Sequence, residues 1–197
     1  MRTLLSLLAL GSALILAQQM FAQDAKVEEV GKSPVETNFA PGGRVHLHLC
    51  PSGSELIGRD ESMLRVSFRP ERDEVRVHIQ VSGDRADIRV TDCPHNNFQI
   101  KVEIPKSSAL YVRMMAGQLD VRDITGDKDV ELTFGQLNLD VGNPDQYGHV
   151  DASVSSGAVD ADPFDIHKGG LFRSFDHDGP GKLRLHAHVG AGQIELR

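Results

Sequence analysis

Four segments in the second half of the chain share one pattern, a glycine followed by a short stretch in which polar and apolar residues alternate. The glycines are Gly117, Gly135, Gly157 and Gly192, at spacings of 18, 22 and 35 residues. The last spacing is close to twice the first, which predicts a degenerate unit between, partly supplied by residues 183–189. Short strands that repeat every 20 or so residues with glycine corners are typical of a solenoid, whose coils bury their apolar faces by stacking. We therefore expect an all-β, single-stranded β-solenoid, with an antiparallel β-sandwich as the alternative.

Alternation with a period of two also runs through most of the chain between residue 40 and the first repeat. In residues 75–81, for example, four valine or isoleucine residues alternate with Arg76, His78 and Gln80. Successive side chains of a strand point to opposite faces, so each such run predicts a strand with one buried face. Gly, Pro, Asn and Ser cluster at the breaks and predict turns.

The first 22 residues have the pattern of a secretory signal peptide. Arg2 precedes an uncharged run over residues 4–17, and Ala22 supplies a small residue before a cleavage point. The run is shorter than the roughly 20 residues of a membrane span, and we expect no span in the mature chain. The predicted organisation is a signal peptide at 1–22, a flexible lead-in at 23–39 and a β-domain at 40–197. The protein is therefore expected to be periplasmic, outer-surface or secreted.

Cys50 and Cys93 are the two cysteines, and each is followed by proline. An isolated pair in an exported chain predicts a disulfide. Two buried free thiols are the alternative, since cysteine also packs as a small apolar residue.

Composition and motifs exclude several functional classes. The 21 Lys and Arg residues face 28 Asp and Glu residues, and a net charge of -7 argues against nucleic-acid binding. Aromatic residues make up 5% with no Trp, so a stacking platform for sugar rings or bases is poorly supplied. Neither a Gly-x-Ser-x-Gly nor a His-Glu-x-x-His motif occurs, and we expect the protein not to be an enzyme.

No metal or cofactor is predicted, but two groups of residues are the candidates if a cation binds. The first group is two His-x-His pairs, in which side chains two apart on a strand share a face: His46 with His48, and His186 with His188. A third ligand would be needed, for which His78 is available. The second group is Asp176 and Asp178, in an Asp-His-Asp-Gly run that resembles the start of a calcium loop without its later ligands.

The position three residues after each repeat glycine carries Asp120, Asn138, Asp160 and Glu195. In stacked coils these side chains would form an outward acidic ladder, in which carboxylates about 5 Å apart repel unless a cation or a proton intervenes. A solvated polar face is the other interpretation.

A family resemblance becomes visible where the repeats begin. The run 102–106, followed by Leu110 and Val112, by 117–121 and by 124–126, resembles the core of a bacterial "putative adhesin" family, a β-solenoid domain of unknown function. Its members end on a small-residue turn, a glycine and a short apolar strand, as residues 190–196 do here. The resemblance covers roughly residues 39–197 and implies an envelope or secreted location, with no catalytic residues to carry over.

These observations predict an exported, non-enzymatic, adhesin-like protein with a structural or binding role at the bacterial cell envelope. Its partner would be an envelope protein or a glycan. The alternatives are a polysaccharide-active enzyme, a calcium-dependent glycan-binding module and an envelope-stress or assembly accessory protein. One longer irregular stretch, residues 163–181, contains Phe164, Phe172 and Phe175, and these are expected to cover one open end of the stack.

Overall fold

The computed structural model describes residues 24–197, and most of these residues lie in β-strands, which confirms the all-β class. The predicted signal peptide, residues 1–22, lies outside the described residues. Two single-turn 3₁₀ helices occupy Pro144–Gln146 and Asp162–Phe164. The thirteen strands are β1 (Ala25–Val30), β2 (Val35–Asn38), β3 (Arg44–Leu49), β4 (Ser52–Arg59), β5 (Met63–Arg69), β6 (Arg76–Ser82), β7 (Arg85–Thr91), β8 (Gln99–Pro105), β9 (Ala109–Arg122), β10 (Lys128–Leu139), β11 (Tyr147–Ala161), β12 (Ile166–Asp178) and β13 (Leu183–Leu196).

The strands form a mixed sheet with two branches that meet on β9. One branch has the order β1-β6-β7-β3-β9-β10-β13-β11-β12, and the other adds β2-β5-β8-β4 beside the C-terminal half of β9. Parallel pairs surround β9 in both branches, while antiparallel pairs such as β1–β6, β2–β5 and β11–β12 lie toward the edges. The sheet is therefore neither purely parallel nor purely antiparallel.

The long strands bend at their repeat glycines, and the buried face changes phase there. In β9, Leu110, Val112 and Met114 are buried before Gly117, and Leu119 and Val121 are buried after it. Because side chains alternate between faces, this shift from even to odd numbers turns the apolar sides of both halves toward one core. The buried residues of both halves belong to a single hydrophobic cluster.

The four repeat glycines lie side by side across the sheet, in the order Gly117, Gly135, Gly192, Gly157. All four have positive φ, between 130° and 149°. A Cβ on Gly135 would overlap the carbonyl oxygen of Gly117, and the same holds between the other neighbours. Only glycine permits both this backbone conformation and this close approach of the strands.

The spatial order of the repeats differs from their order in the sequence. β13, the last strand, lies between β10 and β11, so neighbouring strands do not follow the chain order that successive coils of a solenoid would give. The unit predicted between Gly157 and Gly192 is β12, which pairs antiparallel with β11 and places Gly170 opposite Gly157. Residues 183–189, which were expected to supply that unit, instead form the first half of β13.

The predicted stacked core is confirmed by the register. Leu137 is the direct neighbour of Leu119 and of Ile194, and Val159 is the next neighbour of Ile194. These four side chains and the next buried layer, Leu139 and Leu196, are all fully buried. The shared offset from each glycine therefore identifies the core positions correctly.

The segment before residue 40, predicted as a flexible lead-in, instead contains β1 and β2. β1 pairs antiparallel with β6, and β2 pairs antiparallel with β5. Val35 and Phe39 are buried in the common core. The segment is rich in polar residues because β1 and β2 are edge strands with one face in solvent, and edge strands carry charged side chains.

The stretch 163–181, predicted as irregular, contains the edge strand β12. Phe175 is buried and packs on Phe164 with ring centroids 5.1 Å apart, which confirms these two as a cover over the end of the core. Phe172 differs from the prediction, because its side chain is 82% exposed and its φ is 50°. It lies at the bend of β12, where the edge strand turns with the sheet.

The disulfide between Cys50 and Cys93 is formed as predicted, with a Cα–Cα distance of 6.3 Å. It joins the segment between β3 and β4 to the segment that follows β7. Cys50 precedes β4 and Cys93 precedes β8, so the bridge links the segments that lead into two neighbouring strands of the second branch.

Candidate functional site

The two His-x-His pairs lie on one outer face of the sheet but far from each other. His46 and His48 are on β3, His186 and His188 are on β13, and β9 and β10 lie between these strands. Neighbouring strands are about 4.8 Å apart, so the pairs are separated by about 14 Å and cannot share an ion. His78, on β6, is two strands from β3, and the structure does not bring it to either pair.

His46 makes an aromatic contact on the outer face of the sheet. Its ring stacks on Tyr111, with centroids 4.6 Å apart and planes 2° from parallel. Partial burial and the charge of Arg85 lower the pKa of His46, while Asp87 opposes the shift. The stacking on Tyr111 therefore occupies one face of the His46 ring.

The pair on β13 belongs to a network of charges. Ligand atoms of His186, Asp129 and Glu131 all lie within 4.8 Å of one another, which is a spacing suited to a cation. Arg113, however, lies 2.8 Å from Asp129 and 3.1 Å from Glu131, and His186 Nδ1 is 2.5 Å from Asp151. The guanidinium already pairs with both carboxylates, so a cation would have to displace it. The sequence did not reveal this cluster, whose members come from four strands.

Asp176 and Asp178 lie on β12 rather than in a calcium-type loop. Asp176 is opposite Asp151 in the register of β11 and β12. Asp178 lies 2.7 Å from Nδ1 of His149, and this hydrogen bond raises the pKa of His149. The two aspartates are therefore part of an edge-strand surface, and no metal-ligand group among residues 24–197 includes them.

The predicted outward ladder is formed, in the spatial order Asp120, Asn138, Glu195, Asp160. Asn138 relieves the repulsion, because its amide nitrogen donates to Asp120 over 2.6 Å. Arg197 donates to Glu195 over 2.8 Å and lowers its pKa. Amide and guanidinium groups thus take the place that a cation or a proton would fill.

A second polar row runs beside this ladder, and we call it the glutamine row. It crosses five neighbouring strands, and its members in spatial order are Gln99, Gly53, Gln118, Gln136 and Gln193. Glutamine side chains donate to the ladder, for example Gln118 to Asp120 over 3.0 Å and Gln136 to Asn138 over 3.0 Å. Four of the five positions carry the same side chain, and Gly53 is the exception.

The missing side chain at Gly53 opens a groove of about 470 Å³ in this face, which we call the Gly53 groove. Gln99 and Gln118 form its two sides. Charged groups of both signs line it as well: Glu55, Asp120, Arg69 and Lys101. A second groove of about 560 Å³ adjoins it, shares Gly53 and both glutamines, and reaches the prolines next to the disulfide.

The sequence pointed only indirectly to this groove. Glycine and serine punctuate the alternating runs, so the pattern predicts a turn at Ser52 and Gly53. The structure instead places both residues in β4, between β8 and β9, and the φ of Gly53 lies outside the left-handed region. A glycine without a conformational reason inside a strand suggests a place where something approaches the backbone closely.

Lys128 and Tyr147 form a separate, enclosed pair that lines neither groove. Lys128 is 1% exposed, and its ammonium lies 2.5 Å from the hydroxyl of Tyr147. Burial lowers the pKa of Lys128 to about 8 and raises the pKa of Tyr147 to about 12. Lys128 lies in the core, whereas Tyr147, also 1% exposed, borders a third groove of about 530 Å³.

Comparisons with known proteins leave the family open. No protein-family model matches the chain. No curated protein matches the sequence. A crystal structure described as that of a putative cell adhesion protein from Clostridium sporogenes aligns with 88% of this chain and 99% of its own, at 11% identity and a TM-score of 0.47. A likeness this distant assigns no function to this chain.

None of the helices within residues 24–197 has the length and apolar character needed to cross a bilayer.

Proposed function

We propose that this protein is an exported, non-enzymatic, adhesin-like module that binds a partner at the bacterial cell envelope through the Gly53 groove. The observation that carries the proposal is the interrupted glutamine row, in which a single glycine opens a polar groove on an otherwise continuous face. The four parallel repeats beside it act as a rigid platform. The resemblance to the adhesin family implies an envelope or secreted location.

Export is supported by the disulfide and by the pattern of residues 1–22. Disulfides persist in oxidising compartments and are rare in the cytosol. The Cys50–Cys93 bridge holds together the two segments that carry Pro51 and Pro94, which line the second groove. An oxidising location therefore also keeps the wall of the binding face in place.

A binding role is supported over a catalytic one by the surroundings of the polar groups. Catalytic sites gather reactive groups with shifted pKa values in concave, partly dry pockets. The two groups with the largest pKa shifts, Lys128 and Tyr147, are enclosed and bonded to each other. The groups that line the Gly53 groove stand on the outer face of a sheet, where solvent competes for them.

The test is binding of the mature protein to isolated envelopes of the producing bacterium. A Cβ on Gly53 would meet its nearest atoms at 3.8 and 3.9 Å, so Gly53→Gln places a side chain in the groove without a clash at Cβ. Gly169→Gln is the matched control, because Gly169 lies at the far end of the same cross-strand row and has similar room. We expect wild type and Gly169→Gln to sediment with envelopes and Gly53→Gln to remain in solution. Equal behaviour of all three proteins would contradict the proposal.

A further inference from the structure

The geometry of the Gly53 groove points to a neutral, polyhydroxylated chain, that is, a glycan, as the ligand. We infer that such a chain lies across the strands, in the Gly53 groove and along the glutamine row. This inference rests on the binding role proposed above and names the class of ligand.

The hydrogen-bonding groups match hydroxyl groups. A glutamine amide offers both donors and an acceptor, and a carboxylate offers acceptors only. The amide nitrogens of Gln118 and Gln193 each donate to an aspartate of the ladder, over 3.0 and 3.1 Å. These bonds orient the two side chains and use one N–H donor of each amide. A hydroxyl both donates and accepts, so a row of oriented amides with carboxylates beside them suits a polyol.

The charges of the groove cancel. Arg69 and Lys101 oppose Glu55 and Asp120 among the lining side chains. A site for phosphate or sulfate gathers basic groups, and a site for a cation gathers carboxylates. Equal numbers of both signs give no net attraction for either, and therefore favour an uncharged ligand.

The floor of the groove does not suit an apolar ligand or an inserted peptide side chain. Phe68 and Ile100 lie beneath it and are 3% and 1% exposed. Protein partners usually place an aromatic or aliphatic anchor in an apolar pocket, and no such pocket opens here. The exposed lining is polar side chains and backbone.

Strand addition is closed to a peptide at this place as well. A peptide that extends a sheet needs an edge strand with free backbone groups. β4, which carries Gly53, is paired with β8 on one side and with β9 on the other. A ligand must therefore contact side chains on the face of the sheet.

The length of the row fits a chain rather than a single sugar. Gln99 and Gln193 are four strands apart, on β8 and β13, with Gly53, Gln118 and Gln136 between them. At about 4.8 Å per strand the row spans about 19 Å, which is the length of several sugar rings. The groove would hold one part of the chain, and the glutamines would hold the rest.

The experiment measures binding of the mature protein to isolated envelopes after two treatments. Periodate cleaves the vicinal diols of sugars, and proteinase K removes proteins. We expect periodate to abolish binding and proteinase K to leave it. Laminarin, galactomannan and hydroxyethylcellulose serve as neutral polysaccharide probes in affinity electrophoresis. At least one should retard the wild type and Gly169→Gln, with binding at least tenfold weaker for Gly53→Gln. Gln118→Ala combined with Gln136→Ala is a second variant, which should weaken binding without filling the groove.

The outcomes separate this inference from the proposed function. Binding that survives periodate but is lost after proteinase K, and is absent in Gly53→Gln, identifies a protein partner and overturns the glycan inference alone. The glycan inference is also overturned if none of the polysaccharides retards the protein and binding to envelopes resists periodate. If the protein does not bind untreated envelopes, the envelope role is contradicted. If a neutral polysaccharide still retards the wild type but not Gly53→Gln, the inference about the class of ligand is supported.

Discussion

The ammonium of Lys128 lies 2.5 Å from the hydroxyl of Tyr147 inside the core, and that hydroxyl donates onward to the carbonyl oxygen of Val141 over 3.1 Å. Burial is the main reason that the pKa of Lys128 falls from 10.5 to about 8, and the negative charge of Asp127 opposes the fall. A lysine whose pKa is lower in the folded state makes unfolding depend on pH.

Stability should rise as the pH increases from about 8 toward 10. In this range the unfolded chain keeps the proton on Lys128 while the folded protein releases it, so the folded state is favoured as protons become scarce. Below pH 8 both states are protonated, and the burial penalty is present in full. Above pH 10 stability should fall again. The pKa of Tyr147 is about 12 in the folded state and 10.0 in the unfolded state, so the unfolded chain loses this proton first. Denaturant unfolding at several pH values measures this profile.

Lys128→Met should remove the rise between pH 8 and 10. Methionine has a similar length without a charge, and Tyr147 keeps its bond to Val141. The shift in pKa corresponds to about 3 kcal/mol, so the variant should be more stable than wild type at pH 7 by up to about that amount. A variant that is less stable at pH 7 would show that the ammonium stabilises the core. A variant that keeps the slope of the wild type would show that another group causes the pH dependence.

Gly135→Ala should destabilise the protein by about 3 to 5 kcal/mol, because a Cβ would overlap the carbonyl oxygen of Gly117 and the backbone has a φ of 130°. Gly42→Ala is the matched control, since Gly42 also has positive φ but no atom within 4 Å of its added Cβ. Its cost should be about 1 kcal/mol. Thermal unfolding of both variants measures the difference. Similar losses of stability in the two variants would mean that Gly135 and Gly117 are not in close contact.

Leu137→Ala should cost about 2 to 5 kcal/mol, through lost burial and the cavity left behind. Gln136→Ala, one residue away on the outer face, should change the unfolding free energy by about 0.5 kcal/mol, because the side chain is half-buried and its hydrogen bond is replaced by water. Guanidinium unfolding of both variants is the measurement. Equal losses would indicate that the assigned faces are wrong.

Phe175→Ala should cost about 3 to 5 kcal/mol, because Phe175 is buried against Phe164 at the end of the core. Phe172→Gly should be neutral or stabilising, since the side chain is 82% exposed and glycine adopts a φ of 50° without strain. Differential scanning calorimetry can compare the two. A large loss in Phe172→Gly would place that ring in a stabilising contact.

Much of the fold could be predicted from local patterns. Alternation identified the faces of β3, β5, β6, β7 and β8, and the repeat glycines identified the core of the long strands. The order of the strands could not be predicted, because any parallel neighbour buries the same face of β10 equally well. β1, β2 and β12 were missed since edge strands carry many polar residues, so their alternation is weak.

The binding face was only partly predictable. The ladder through Asp120 followed from the repeat spacing, because each member has the same offset from a glycine. The Gly53 groove did not follow, since Gly53 and Gln99 lie outside the repeats and become neighbours only through the pairing of β4 with β8. The charge network of Arg113 and His186 was hidden for the same reason.

The central claim is that the Gly53 groove is the binding face, and hydrogen–deuterium exchange of the envelope-bound mature protein tests it most directly. Binding should slow exchange in peptides that cover 51–55, 97–101 and 116–120, which surround the groove. Peptides over 44–48 and 184–188, on the opposite outer face with the histidine pairs, should exchange as in the free protein. Slower exchange confined to the histidine-bearing peptides, or no change around Gly53, would contradict the account.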